Sequence, residues 1–136
     1  MQSFQLHPQL AADTFAITEL SLSTVLLMND RRFPWCIVVP RQPGLVDLVD
    51  LSGDAQAVLW HEIDMVSRAV KTAFQAEKLN VAALGNVVPQ LHIHVIARFK
   101  NDPAWPKPVW GVGTPEPYAR EKLDAVISRI KLGLAS

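Results

Sequence analysis

Residues 88–98, Val-Pro-Gln-Leu-His-Ile-His-Val-Ile-Ala-Arg, constrain this chain more than any other stretch. Polar and apolar residues alternate without a break from Gln90 to Val95. A period of two predicts a half-buried strand. Leu91, Ile93 and Val95 then share one face and pack on a core. Gln90, His92 and His94 share the other, which gathers two of the four histidines of the chain. Same-face neighbours on a strand start only about 7 Å apart, so one small anion or one metal ion could touch all three.

Other strands must flank this one. Val25-Leu26-Leu27-Met28 is continuously apolar, as in a strand buried on both sides. Asp30-Arg31-Arg32-Phe33-Pro34 reads as a turn, since aspartate suits turn initiation and proline cannot join a central ladder. Trp35-Cys36-Ile37-Val38-Val39 is the next strand, stopped by Pro40. Two apolar runs with a short polar connection predict an antiparallel hairpin with Asn29 at its lip. Residues 79–84 form a further strand, broken by Gly85, which frees the backbone for a turn or for close approach to a ligand.

Helices are read from spacing and caps. Leu59, Ile63, Val66, Val70 and Phe74 recur at helical intervals, and Ser52 is a suitable N-cap, so residues 52–77 are a long helix. His61 in this helix reads as a surface residue. Residues 7–13 allow a short helix with Pro8 in its first turn, and His7 reads as solvated. Residues 99–117 hold Pro103, Pro106, Pro108, Pro115 and Pro117 with Trp105 and Trp110, which predicts an extended, docked arm. A last helix, residues 115–133, starts with Thr114 as cap and ends at Gly133.

The hairpin-type strands with helices over one face predict an α+β fold. At 136 residues the chain reads as one domain, with a core of about residues 14–100. Lysine plus arginine equals aspartate plus glutamate at 13 each, which gives no electrostatic case for nucleic acid or membrane surfaces. The single cysteine, Cys36, lies in an apolar run and cannot form an internal disulfide. With no signal-peptide pattern and no membrane-length apolar run, the expected location is the cytoplasm.

The strand motif resembles that of the histidine triad (HIT) family of nucleotide hydrolases and transferases: three histidines at alternate positions, with apolar residues between and after them. Gln90 stands at the first position, His92 at the middle and His94 at the third. The resemblance implies that His92 is the nucleophile. The departure is Gln90. Asn29, ending one apolar strand ahead of another, looks like the family's nucleotide-contacting asparagine. Gly85-Asn86-Val87-Val88-Pro89 looks like its phosphate loop, with Val87 where a serine or threonine is usual. The likeness covers roughly residues 20–100. It implies a five-stranded antiparallel sheet in a homodimer. Four strands are plain in the residues, and the fifth is expected within residues 14–20.

A histidine that stays neutral near neutral pH can form a covalent intermediate with a phosphorus centre. In the family a backbone carbonyl pins one ring nitrogen so that the other can attack. The expected catalytic group is therefore His92, His94 and Gln90, with Gln90 orienting the phosphate through its amide. Asn29, Gly85 and Asn86 are expected to hold the nucleotide. No cofactor and no metal are expected. Two other readings stand beside this one. His-x-His on a strand is also a zinc arrangement, with the third ligand to come from Asp47, Asp50 or His61. A nucleotide-binding domain with little turnover is the other, as Gln90 and Val87 allow.

Overall fold

The apolar runs on either side of Asp30 pair as the predicted hairpin. In the computed structural model, which describes residues 3–136, β2 (Ser23–Met28) and β3 (Trp35–Pro40) run antiparallel, with Leu26 opposite Ile37. β1 (Thr14–Glu19) supplies the fifth strand on the outer side of β2. β5 (Ile93–Arg98) pairs with β3, and β4 (Lys78–Ala82) closes the far edge. The order is β1-β2-β3-β5-β4, with every neighbouring pair antiparallel. Three α-helices complete the architecture among the described residues: α1 (Pro8–Asp13), α2 (Gly53–Phe74) and α3 (Arg120–Ala135). No described helix is long and apolar enough to cross a membrane.

The sheet is covered on both faces, which corrects the half-buried strand expected around the histidines. One face sets Val25, Leu27, Cys36, Val38, Ile93 and Val95 against Leu59, Ile63, Val66 and Val70 of α2 and Ile130 of α3. The opposite face packs Leu26, Trp35, Ile37, Val39 and Ile96 against Leu10 of α1 and Phe33, Ala104 and Val109. Every residue of β3 and β5 is consequently buried. The alternation set the two histidines and the α2 core on opposite faces and did not mark exposure to solvent. It also overran the strand, for β5 begins at Ile93 and leaves Gln90 and His92 in irregular backbone ahead of it.

The long helix starts where its cap predicts, with the Ser52 hydroxyl accepting from the Ala55 amide at 3.1 Å. It ends at Phe74 rather than residue 77, because Gln75 turns left-handed at φ 53°. The last helix departs further from expectation. It begins at Arg120, not at residue 115, because Thr114 and Glu116 each precede a proline and are disfavoured in helical backbone. Hydrogen bonds hold this stretch extended instead. Glu116 accepts from the Arg31 amide at 2.7 Å, and the Tyr118 amide donates to Asn29 Oδ1 at 2.9 Å. Gly133 does not end α3. It lies inside the helix where a Cβ would come within 2.9 Å of Ala69 on α2, so its lack of a side chain lets the helices touch.

The arm is docked as expected, and a buried ion pair fastens its root. Arg98, 1% exposed, donates from Nε to Asp102 at 2.7 Å and also reaches Asn80 Oδ1 and the Lys107 carbonyl. Its guanidinium lies over the rings of Phe33 and Trp105. A charge removed from water needs such partners. Asp102 additionally accepts from the amides of Phe99, Ala104 and Trp105. Burial pushes its carboxyl up, but the Arg98 hydrogen bond and those three amides outweigh it and bring it down to about 2.

Candidate functional site

The mouth of β5 brings the two histidines of the motif together. His92 and His94 are 6% and 5% exposed, and their ring centroids are 4.8 Å apart. His92 Nδ1 lies 2.7 Å from the Gln90 carbonyl oxygen. A carbonyl only accepts, so Nδ1 carries a proton, and in the neutral ring the lone pair is on Nε2. The backbone carbonyl implied by the motif is thus supplied by the residue two positions upstream.

His94 has a different partner. The Trp35 indole N–H donates to His94 Nδ1 at 3.0 Å. Trp35 reaches it because β3 and β5 pair Ile37 with His94, which makes the start of β3 the diagonal neighbour of His94. Trp110, from the arm, sets its ring 5.0 Å from His94 and 6.0 Å from Trp35. Burial and the neighbouring His92 push the His94 pKa down to about 3, so this ring is neutral at ordinary pH.

Two cavities meet at His92. The larger, about 430 Å³, is lined by both histidines, Trp35, Trp110, Met28, residues 84–88, and Gln9, Leu10 and Asp13 of α1. The other, about 350 Å³, is lined by His92 with Leu91, residues 46–49 and residues 83–85. Leu84, Gly85 and His92 are common to both. Gly85 holds φ 75°, a left-handed backbone that a side chain would strain, and so turns the loop back toward His92. Asn86 and Val87 stand exposed at the mouth of the larger cavity.

Of the residues singled out in the sequence, His92, His94, Gly85 and Asn86 gather at this cavity. Gln90 and Asn29 line neither one. Gln90 Oε1 accepts from the His7 amide at 2.8 Å and its Nε2 donates to the Gln5 carbonyl at 2.9 Å. Both ends of the amide are spent on the N-terminal segment, whose backbone groups would otherwise need partners. The side chain therefore clamps the stretch leading into α1. Asn29 ties the arm to the hairpin through Tyr118, and its own amide donates to the Asp13 carbonyl. His7, read as solvated, caps α1 by accepting from the Gln9 amide at 3.0 Å.

Sequence reasoning missed Trp35 as a site residue; Trp110, expected to anchor the arm in the core, does pack against it and also lines the cavity. A tryptophan beginning an apolar strand looks like packing, and only the register of β3 on β5 brings its N–H to a histidine. His61 is exposed on α2, as expected. Among the described residues no three His, Cys, Asp or Glu side chains converge, so neither Asp47, Asp50 nor His61 joins the histidine pair. Burial pushes the Cys36 thiol up to about 12, and it lies in the core on the α2 side of the sheet.

Comparison with known proteins agrees with this geometry. A HIT domain family model matches residues 9–101. A histidine triad protein of Marinobacter aquaeolei is similar over 98% of each chain, with 46% identity and a TM-score of 0.95. One from Bradyrhizobium japonicum has 45% identity and a TM-score of 0.96, covering 98% of this chain and 99% of the other. One from Sinorhizobium meliloti has 44% identity and a TM-score of 0.94 over 96% of each. No curated protein matches the chain.

Proposed function

The chain belongs to the HIT domain family, and from that premise we propose that it is a nucleotide hydrolase or nucleotidyl transferase working through a covalent adduct on His92. The observation that carries this reading is the 2.7 Å contact between His92 Nδ1 and the Gln90 carbonyl, which makes Nε2 the nucleophilic nitrogen of the neutral ring at the meeting of two cavities. Nε2 attacks the phosphorus of a nucleotidyl phosphate bond. The N–P bond forms as the bond to the leaving group breaks. Water, or another acceptor, then attacks the same phosphorus and returns His92 with its lone pair. Imidazole leaves phosphorus more readily than an alkoxide does, so two steps replace one hard one.

Phosphoryl transfer asks the protein mainly for positioning and charge stabilisation. His94, the Asn86 side chain and the main-chain amides of residues 85–88 are the donors near His92 that can meet phosphate oxygens. Gln90 and Asn29 act one layer out, the first through α1 and the second through the arm. The substrate is a small nucleotide, either a dinucleoside polyphosphate or a nucleoside phosphoramidate. No metal or cofactor takes part, the working unit is a homodimer, and the setting is the cytoplasm.

The test is single-turnover chemistry on both substrate classes, quenched in alkali because phosphorus–nitrogen bonds to imidazole are acid-labile. The expected result is a nucleotidyl mass on the peptide bearing His92, no adduct in His92→Ala, turnover near background in that variant, and full activity in chelator. Unchanged turnover in His92→Ala would sink the reading. Tight nucleotide binding with neither adduct nor turnover would leave a binding domain in its place.

A further inference from the structure

We propose that Trp35 is a positioning residue that locks His94 as its neutral Nε2–H tautomer, making His94 a fixed hydrogen-bond donor to phosphate and not a proton donor to the leaving group. The catalytic meaning of this rests on the function proposed above. The lock itself does not, and it can be observed in the protein without substrate.

An indole has one N–H and no acceptor. Its 3.0 Å contact with His94 Nδ1 is therefore possible only while Nδ1 is unprotonated. A neutral imidazole with Nδ1 as acceptor carries its proton on Nε2. A cationic ring would place a second N–H against the indole N–H, leaving two donors face to face in a site where both residues are buried. The rings have little room to turn away. Trp110 packs edge-on against both, at 75° to His94 and 89° to Trp35, and His92 closes a further side at 70°.

The surroundings offer no charge that would reverse this. From β3 only Trp35 and Ile37, neither of them charged, share the face of the sheet with His94, since Cys36 lies in the core on the other side. Opposite His94, β4 brings Ala82, and the arm brings Trp110. The titratable groups lining the cavity with His94 are His92 and Asp13. Asp13 is the one carboxylate, held by Gln9 Nε2 at 2.9 Å, and it does not act on the His94 ring, which burial and His92 govern. Burial and His92 act in the same sense as the indole, both against the cation.

A neutral imidazole N–H binds a phosphate oxygen well but gives up its proton poorly. With His94 so held, no group lining the cavity is poised as an acid for the leaving atom. The site then favours leaving groups that depart as stabilised anions, the phosphate of a phosphoanhydride, over amines that must gain a proton as the P–N bond breaks. The class of substrate this selects is the dinucleoside polyphosphate or nucleoside polyphosphate.

The tautomer is read from long-range ¹H–¹⁵N spectra of the histidine rings of the intact protein. His94 should show the Nε2–H pattern and keep it on acidification through about pH 6.5, where an ordinary histidine takes up its proton. An Nδ1–H pattern, or titration in that ordinary range, overturns the lock without any variant being needed. In Trp35→Phe the pattern should become mixed, and the ring should titrate at higher pH than in the parent. Unaltered His94 signals in that variant also overturn the proposal. Adduct formation on His92 should be at least tenfold faster with a dinucleoside polyphosphate than with a nucleoside phosphoramidate of a simple amine. Equal rates with the lock present overturn the leaving-group inference. An intact lock with no adduct from either substrate instead removes the underlying function, so the two failures are distinguishable.

Discussion

His94 holds a free energy that pH can release. Its pKa is pushed down to about 3 in the folded chain, first by burial and then by His92. In the unfolded chain it returns to about 6.5. Between those values the unfolded state binds the proton and the folded state does not, so stability falls as pH falls, by up to roughly 1.4 kcal/mol per pH unit. Above the upper value the group is neutral in both states and contributes no slope. Asp102 acts lower down. Its folded value of about 2 lies below the usual carboxylate range, so its contribution is complete above that range and is lost as pH falls through about 2. Urea titrations should therefore show stability declining from about pH 6.5, well before carboxylates titrate. His94→Asn should flatten the limb between about pH 6.5 and 4 while leaving the steeper acid limb. An unchanged limb in that variant would mean that other groups own it. The alternating motif makes the two histidines legible as partners, because side-chain direction along extended backbone follows residue number. Trp35 is not legible in this way. Its place depends on how two strands register, and many registers satisfy the same apolar pattern.

The N-terminal segment and α1 form a wall of the larger cavity through Gln9, Leu10 and Asp13, and Gln90 holds that wall in place. Gln90→Ala removes two neutral hydrogen bonds, each worth about 0.5–1.5 kcal/mol, from a segment that Phe4, Leu6 and Leu10 also hold by packing on the core. The effect belongs to the wall and not to the reacting atoms. We expect KM to rise several-fold, kcat to change little, and amide exchange over residues 5–13 to quicken. A tenfold fall in kcat with KM unchanged would return Gln90 to the phosphate. This is where sequence reading was furthest from the structure, because a residue on the right face of an ideal strand lies in fact just before the strand begins. Elements with a strong internal signal were read well: the hairpin from its apolar runs, and α2 from its apolar stripe and serine cap. Elements whose limits are set by contacts were not. Prolines and the Asp30 turn delay α3, and the space needed between α2 and α3, not a helix end, explains Gly133.

At the scale of the molecule, apolar side chains stand exposed at the start of α2 and just ahead of it. Trp60 is 69% exposed on α2, and Val49, just ahead of that helix, is 82% exposed. Val46, Leu48 and Val58 are also exposed. Trp60 and Leu48 line one shallow groove with Ile63, which joins the start of α2 to the loop before it in one apolar patch, while Val58 lines a separate groove. Contiguous apolar surface of this kind marks an association site. The same loop reaches the candidate site, since residues 46–49 line the smaller cavity beside His92. A second copy seated on this surface would cover the groove and wall that cavity together, which ties assembly to turnover. We therefore expect light scattering at micromolar concentration to give twice the 15.1 kDa chain mass. Trp60→Glu places a charge in the middle of the patch and should give monomers that keep the far-ultraviolet spectrum of the parent. Activity per chain should fall in that variant, and in the parent it should fall on dilution as the dimer separates. A monomeric parent removes the dimer. A monomeric Trp60→Glu with full activity keeps the dimer but cuts its link to the site, leaving residues 46–49 to wall the cavity unaided.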